Sequence, residues 1–364
     1  MSSFFRTCIG IVTAVVLSGC STTSYFWQAA TGHLKILSEA RNIDEVIDAS
    51  ATDPTLREKL EYVKDIRAFS VKALGLPDNG SYKKFADLHR RFAVWNVVAA
   101  PVDSLELKKW CFPFTGCVSY KGFYDKAMAE SLVESLRKSG MDVALMGVPA
   151  YSTLGYTNDP VLSTFIRYPP GELARLIFHE LAHQEVYVSG DTTFNESFAT
   201  AVEELGVAQW LDQPGKAALK SQYLEFDARR KAFQDLIKQA RIDLKTIYND
   251  EHLSESAKLI EKAARIERLK GDYERLKATA WHGWSGYDLY FGSDLNNAKL
   301  GVSGLYNDDV AAFKALFDRC GHQYPRFYQA VKRIGDLSDS ARKRAIDSLV
   351  SHLPLSPELE CGKA

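Results

Sequence analysis

Two histidines four residues apart flank a carboxylate in the run His179-Glu180-Leu181-Ala182-His183. On a helix, positions i and i+4 share a face, so both imidazoles point the same way and can grip one Zn²⁺. Glu180 then stands beside the first ligand. There it can take a proton from a water whose pKa the zinc lowers. The chain has eight histidines in 364 residues, so a chance HExxH arises on the order of once in a hundred such sequences, before any demand for a helix. The flanking residues supply that helix. Leu173, Ile177 and Leu181 recur at i, i+4 and i+8, Pro169-Pro170 precedes them, and Gly190 follows. Leu176 shares the side of the two histidines, which turns the motif inward.

A zinc hydrolase needs a third protein ligand and an open fourth position. The metzincin pattern asks for Gly and His where this chain has Val186 and Ser189, so that class is excluded. Downstream, Glu196 stands near the start of a second helix pattern, in NESFATAVE at 195–203. HELAHQ at 179–184 followed by this segment resembles the zinc signature of the gluzincin aminopeptidases, with a spacer of only twelve residues between His183 and Glu196. The whole chain is similar to a group of bacterial lipoproteins described as predicted aminopeptidases. That similarity includes Trp110-Cys111-Phe112-Pro113, Ala150-Tyr151-Ser152-Thr153-Leu154-Gly155 and Leu295-Asn296-Asn297-Ala298. The resemblance implies a Zn²⁺ cofactor on His179, His183 and Glu196, with Glu203 orienting a ligating histidine. Helix geometry leaves an alternative. A first helix running to Ser189 places Glu203 level with His183, whereas a helix ending near Glu185 lets the loop fold back and present Glu196.

Peptide hydrolysis also needs a donor for the oxyanion that develops on the scissile carbonyl. His282, Tyr287 and Tyr306 are candidates, and a loose resemblance to the downstream tyrosine of gluzincins favours Tyr306. Residues 148–155 are expected to form an edge strand, which in zincins pairs with extended substrate. No GAMEN-like segment for a substrate amine is present. An aminopeptidase, an endopeptidase and a peptide amidase therefore share the same expected site. A scaffold lipoprotein with structural zinc is the non-enzymatic alternative, against which the intact Glu180 weighs.

The elements that must position these residues follow from periodicity. Residues 25–75 read as helical through Leu34, Leu37 and Ala40, then Val63, Ile66, Phe69 and Leu74, with a break at Asp53-Pro54. Phe92 to Val98, Cys117 to Tyr124 and Asp142 to Val148 read as strands, and Lys126 to Ser139 as a helix. The two site helices are expected at about 171–188 and 195–211. Residues 216–278 carry two apolar stripes, Phe226 to Ile247 and Leu259 to Leu276, that predict a long helical hairpin turning at Asn249 to Ser254. The expected fold is α+β, mostly helical, with a zincin-like core and this hairpin as an excursion from one catalytic domain over 20–364.

The first nineteen residues form a separate device. An apolar run from Cys8 to Leu17 is too short to span a bilayer and fits a secretory signal. It ends Leu17-Ser18-Gly19-Cys20-Ser21, which resembles a bacterial lipoprotein signal. The resemblance implies lipidation of Cys20, cleavage before it, stable anchoring by its acyl chains, and, through Ser21, the outer membrane facing the periplasm. Four cysteines remain, and export makes them disulfide partners. Cys111 and Cys117 bracket a turn-rich loop, which leaves Cys320 for Cys361; no His sits near Cys111 to complete a zinc site. Lys+Arg is 45 against Asp+Glu 46. That balance offers no basic footprint for nucleic acid, so the expected partners are a peptide substrate and the membrane. The oligomeric state is not legible.

Overall fold

Helix starts fall where a side chain can satisfy the free N–H groups of a first turn. Asp53 accepts from the Thr55 and Leu56 amides and Pro54 takes the first helical position, so Asp53-Pro54 begins a helix as well as breaking the run before it. Asp125, Asp191 and Ser254 cap later helices in the same way. The computed structural model describes residues 24–112, 116–292, 294–303 and 309–361. Cys20 and Tyr306 lie outside them.

The first half contains α1 (24–39), β1 (Arg41–Asn42), α2 (Ile43–Asp48), α3 (Pro54–Lys72), β2 (Lys84–Ala86), β3 (Val94–Ala100), β4 (Trp110–Phe112), β5 (Gly116–Val118), β6 (Lys121–Phe123), α4 (Lys126–Lys138), β7 (Asp142–Val148) and β8 (Val161–Leu162). Helices fill the rest: α5 (Pro170–Glu185), α6 (Thr192–Leu211), α7 (Ala217–Asn249), α8 (Glu255–Ala278), α9 (Asp288–Phe291), α10 (Asn297–Val302), α11 (Val310–Arg319), α12 (Tyr324–Gly335) and α13 (Asp339–Val350). The fold is α+β and mostly helical, as expected. Among the described residues no helix is long and apolar enough to cross a membrane.

Three small sheets brace the helices. The largest is antiparallel in the order β6-β3-β7, with Val97 opposite Leu145. Alternation along β3 gives it two apolar faces. Val97 and Ala99 pack with Ala129 and Val133 of α4, while Val98 and Ala100 pack with Ala298 of α10. β2 pairs with β1 and β8, and β4 with β5. The main core lies around α5 and α6. Leu173, Ile177 and Leu181 are fully buried there with Phe198, Val202 and Trp210, against Leu60, Val63 and Ile66 of α3. Both predicted disulfides form, Cys111–Cys117 across β4–β5 and Cys320–Cys361 from the end of α11 to the C-terminal segment.

Four local expectations need correction. The 25–75 run is three helices interrupted by β1, and Leu34 faces solvent while Ile36 takes the buried position. The strand expected over 117–124 divides into β5 and β6. Residues 149–155 form no strand; Asp159 instead accepts from the Thr153 amide and hydroxyl and holds a turn. In α8, Leu259 and Ala263 are exposed while Lys262 and Arg265 are buried. Lys262 reaches Asp142 and the Val102 carbonyl, and Arg265 reaches Asp243, so each charge gains a partner as it leaves water.

Candidate metal centre

The α5–α6 connection decides which carboxylate meets the histidines. Helix α5 stops at Glu185: Val186 turns extended while its amide still donates to the Ala182 carbonyl. Asn195 then staples the loop to the start of α6, accepting from the Val188 amide and donating to the Val188 carbonyl, both at 2.7 Å. Asp191 caps α6 through the Phe194 amide and is held by Arg342 at 2.8 Å. Gly116 of the disulfide hairpin, at φ +70, presses on this loop; a Cβ there would lie 2.6 Å from Ser189 Oγ and 2.8 Å from the Gly190 nitrogen. Farther along, the helices close on one another at Gly206, where a Cβ would stand 2.6 Å from Leu74 Cδ1 and 2.9 Å from Phe178. Gln184, the last residue of HELAHQ, accepts from Asn79 at 2.7 Å and ties the end of α5 to the loop after α3.

The early end of α5 brings Glu196 to the histidines. His179 Nε2 lies 3.2 Å from His183 Nε2 and 3.3 Å from Glu196 Oε2; His183 Nε2 lies 3.8 Å from Glu196 Oε1. Among the described residues this is the one group of three metal-type donors that converges, all within 4.8 Å. Zinc–nitrogen bonds of about 2.0–2.1 Å at tetrahedral angles imply donor separations of about 3.3 Å; the His179–His183 spacing and the approach of Glu196 Oε2 to His179 match it, while the nearest approach of Glu196 to His183 is through the other oxygen and longer. Glu203 meets the far side of His179, its Oε2 3.0 Å from Nδ1, while its Oε1 lies 2.6 Å from Arg175. That contact leaves His179 Nε2 free to face the other donors. His183 Nδ1 is buried and has no such partner among the described residues.

The charges of the centre act strongly on one another. Burial alone would lower His179, but hydrogen bonds to Glu196 and Glu203, and their charges, outweigh it and hold the imidazole up at about 10. His183, with burial dominant and His179⁺ beside it, falls to about 4. Burial raises Glu196 and Glu203, yet both end below the usual range, Glu196 through the two histidines and Glu203 through Arg175 and His179. A proton on His179 thus supplies positive charge to the buried Glu203 and the partly buried Glu196. These donors fit a divalent cation. Burial pushes Glu180 up to about 7; His179 opposes the rise, and the charges of Glu196, Asp159 and Glu203 add to it.

Spacing could not reveal the tyrosines within electrostatic reach of the site. Tyr120, just after β5, and Tyr187, just after α5, both feel the charge of Glu196, and Tyr120 that of Glu180 as well. Burial keeps both phenols protonated at neutral pH, so each remains a donor. Tyr82, at φ 61, is buried with its hydroxyl unpartnered and within the field of Glu180. The other predicted donors lie elsewhere: His282 is exposed, and Tyr287 stacks on Phe233 of the hairpin at 4.1 Å. Arg175 has no signal in a motif search; only its position one turn before His179 on α5 hints at it.

Comparison with curated proteins and with solved structures yields no match. A family model described as "Putative aminopeptidase" matches residues 24–346, most of the chain, and the protein belongs to that family.

Proposed function

We propose that this chain is a zinc-dependent peptidase, acting as an aminopeptidase, anchored in the bacterial cell envelope through lipid on Cys20. The observation that carries the peptidase reading is the convergence of His179, His183 and Glu196 beside a half-buried Glu180 held up at about 7. His179 and His183 on α5 and Glu196 on α6 hold the ion, and Glu203 with Arg175 fixes the His179 ring. When bound, zinc supplies a Lewis acid for the attacking water and the scissile carbonyl. Glu180 takes the proton of the attacking water on its carboxylate and returns it to the departing amine. Tyr120 donates its phenolic proton in a hydrogen bond to the developing oxyanion, a role supported by its place in the field of Glu196 and Glu180.

The test pairs metal analysis with a peptide panel. Zinc-loaded protein is expected to cleave peptides with free amino termini and to spare N-blocked ones. The Glu180→Gln chain is expected to retain zinc and lose cleavage. Equal residual cleavage by parent and Glu180→Gln refutes the enzyme. Equal cleavage of free and blocked peptides refutes the aminopeptidase specificity and leaves an endopeptidase or amidase.

A further inference from the structure

Helix α1 is apolar on two sides, and the described residues cover only one. Tyr25 stacks on Phe112 at 5.7 Å and meets Phe123 edge-on at 5.4 Å, Gln28 accepts from the Tyr124 amide, and Ile36 is buried. The opposite stripe carries Trp27, 71% exposed, and Leu34, 62% exposed, two turns apart, with exposed Ala30 between them. Phe26 lies on its flank, 44% exposed. Single exposed apolar residues are ordinary, but three large ones on one short helix mark a surface that meets something.

The tether indicates what that is, on the reading above that Cys20 carries the lipid. Ser24 stands four positions after Cys20, and four residues reach at most about 14 Å. Trp27 is about 4.5 Å farther along the helix. Acyl chains hold Cys20 at the hydrocarbon boundary, so the first turns of α1 stay in the headgroup layer or just above it. Tryptophan favours that layer, with an apolar ring and an N–H that needs a polar partner. We infer that the Trp27–Ala30–Leu34 stripe, with Phe26, lies against the surface of the bilayer that holds the Cys20 anchor.

Docking there would orient the catalytic centre. His33, next to Leu34, contacts the Tyr151 hydroxyl at 2.8 Å and the Thr157 hydroxyl at 2.9 Å. Between those two residues the loop passes Gln184 at Gly155, one position from His183. A chain of contacts therefore runs from the stripe to one wall of the site.

Of the six tryptophans only Trp27 is exposed, which makes it a probe. The lipidated chain is reconstituted in phosphatidylethanolamine–phosphatidylglycerol vesicles containing brominated acyl chains, and tryptophan quenching is read. Quenching is expected to fall severalfold in Trp27→Phe. In Leu34→Asp, which keeps the probe but breaks the stripe, a comparable fall is expected, while both chains still sediment with the vesicles. Equal quenching in parent and Trp27→Phe overturns the docking; dimers by analytical ultracentrifugation would then assign the stripe to a second copy. An intact mass without acyl chains overturns the anchor, and the docking with it, by a readout independent of fluorescence.

Discussion

Glu203 is the most informative residue to perturb, because it touches the proposed metal only through His179. Its side chain is 2% exposed and bridges His179 Nδ1 at 3.0 Å and Arg175 at 2.6 Å. Glu203→Gln keeps an oxygen that can accept from His179 but removes the charge; Glu203→Ala removes both. Loss of such a partner to a ligating histidine weakens metal binding about 10–100-fold. We expect the glutamine variant near the lower end and the alanine variant near the upper, about 1.4 and about 2.7 kcal/mol. The folded state should suffer too, since breaking a buried pair costs about 3–5 kcal/mol. Arg175 is 30% exposed and keeps part of its hydration, so about 2–3 kcal/mol is the better expectation. The assay is zinc competition against a chromogenic chelator, with urea unfolding of the metal-free chains alongside. A double-mutant cycle with Arg175→Met should return a coupling of about 1–3 kcal/mol in unfolding. Glu203→Ala binding zinc as tightly as the parent refutes the positioning role.

Other expectations follow from the same geometry. Glu196→Ala should lower zinc affinity by at least about 100-fold; retained zinc would return the ligand role to Glu203. Zinc must displace the proton that His179 holds up to about 10, so its apparent affinity should rise about tenfold per pH unit from 7 to 9. Titration in buffers of different ionisation enthalpy measures the proton released, and a pH-independent affinity contradicts the scheme. Because the folded pKa of His179 is raised, its contribution to metal-free stability is complete below the unfolded value of about 6.5 and is lost as pH rises through about 10. Melting temperatures of the apo chain across that range should show the decline. Gly206→Ala drives a Cβ against buried Leu74 and Phe178, and should cost about 1–3 kcal/mol in urea unfolding. Removing the Cys320–Cys361 bridge, with a sequence separation of 41, should cost about 4 kcal/mol, against about 2 for Cys111–Cys117, with a separation of 6.

The parts of this protein legible in the sequence are those with a period or a fixed spacing. His179, Glu180 and His183 announce themselves, and the ridge of Leu173, Ile177 and Leu181 is buried as its spacing predicts. The hairpin also follows from its stripes, with α7 ending at Asn249 and Ser254 capping α8. Strands of two or three residues such as β1 and β8 are too short to show alternation. Lys262 and Arg265 read as solvated because composition does not disclose Asp142 and Asp243 across space. Tyr120 approaches the site through tertiary packing, and Arg175, although one turn before His179, shows its role only through its contact with Glu203 on α6. Which of Glu196 and Glu203 converges with both histidines turns on where α5 stops, and the loop that follows is held by Asn195 on Val188, a contact no propensity records.

The brevity of the α5–α6 connection has a kinetic consequence. The three donors, His179, His183 and Glu196, belong to one continuous segment built from two adjacent helices. Closing so short a loop takes little chain entropy, and contacts this local form early in folding. The metal pocket can therefore take shape before β2 finds β8 or the C-terminal segment reaches Cys320, both of which must close much longer loops. On the proposed metal reading, a folding chain would be able to bind an ion while most of its body is still unfolded, and a captured ion would bias the remaining search toward the native pairing of α5 with α6.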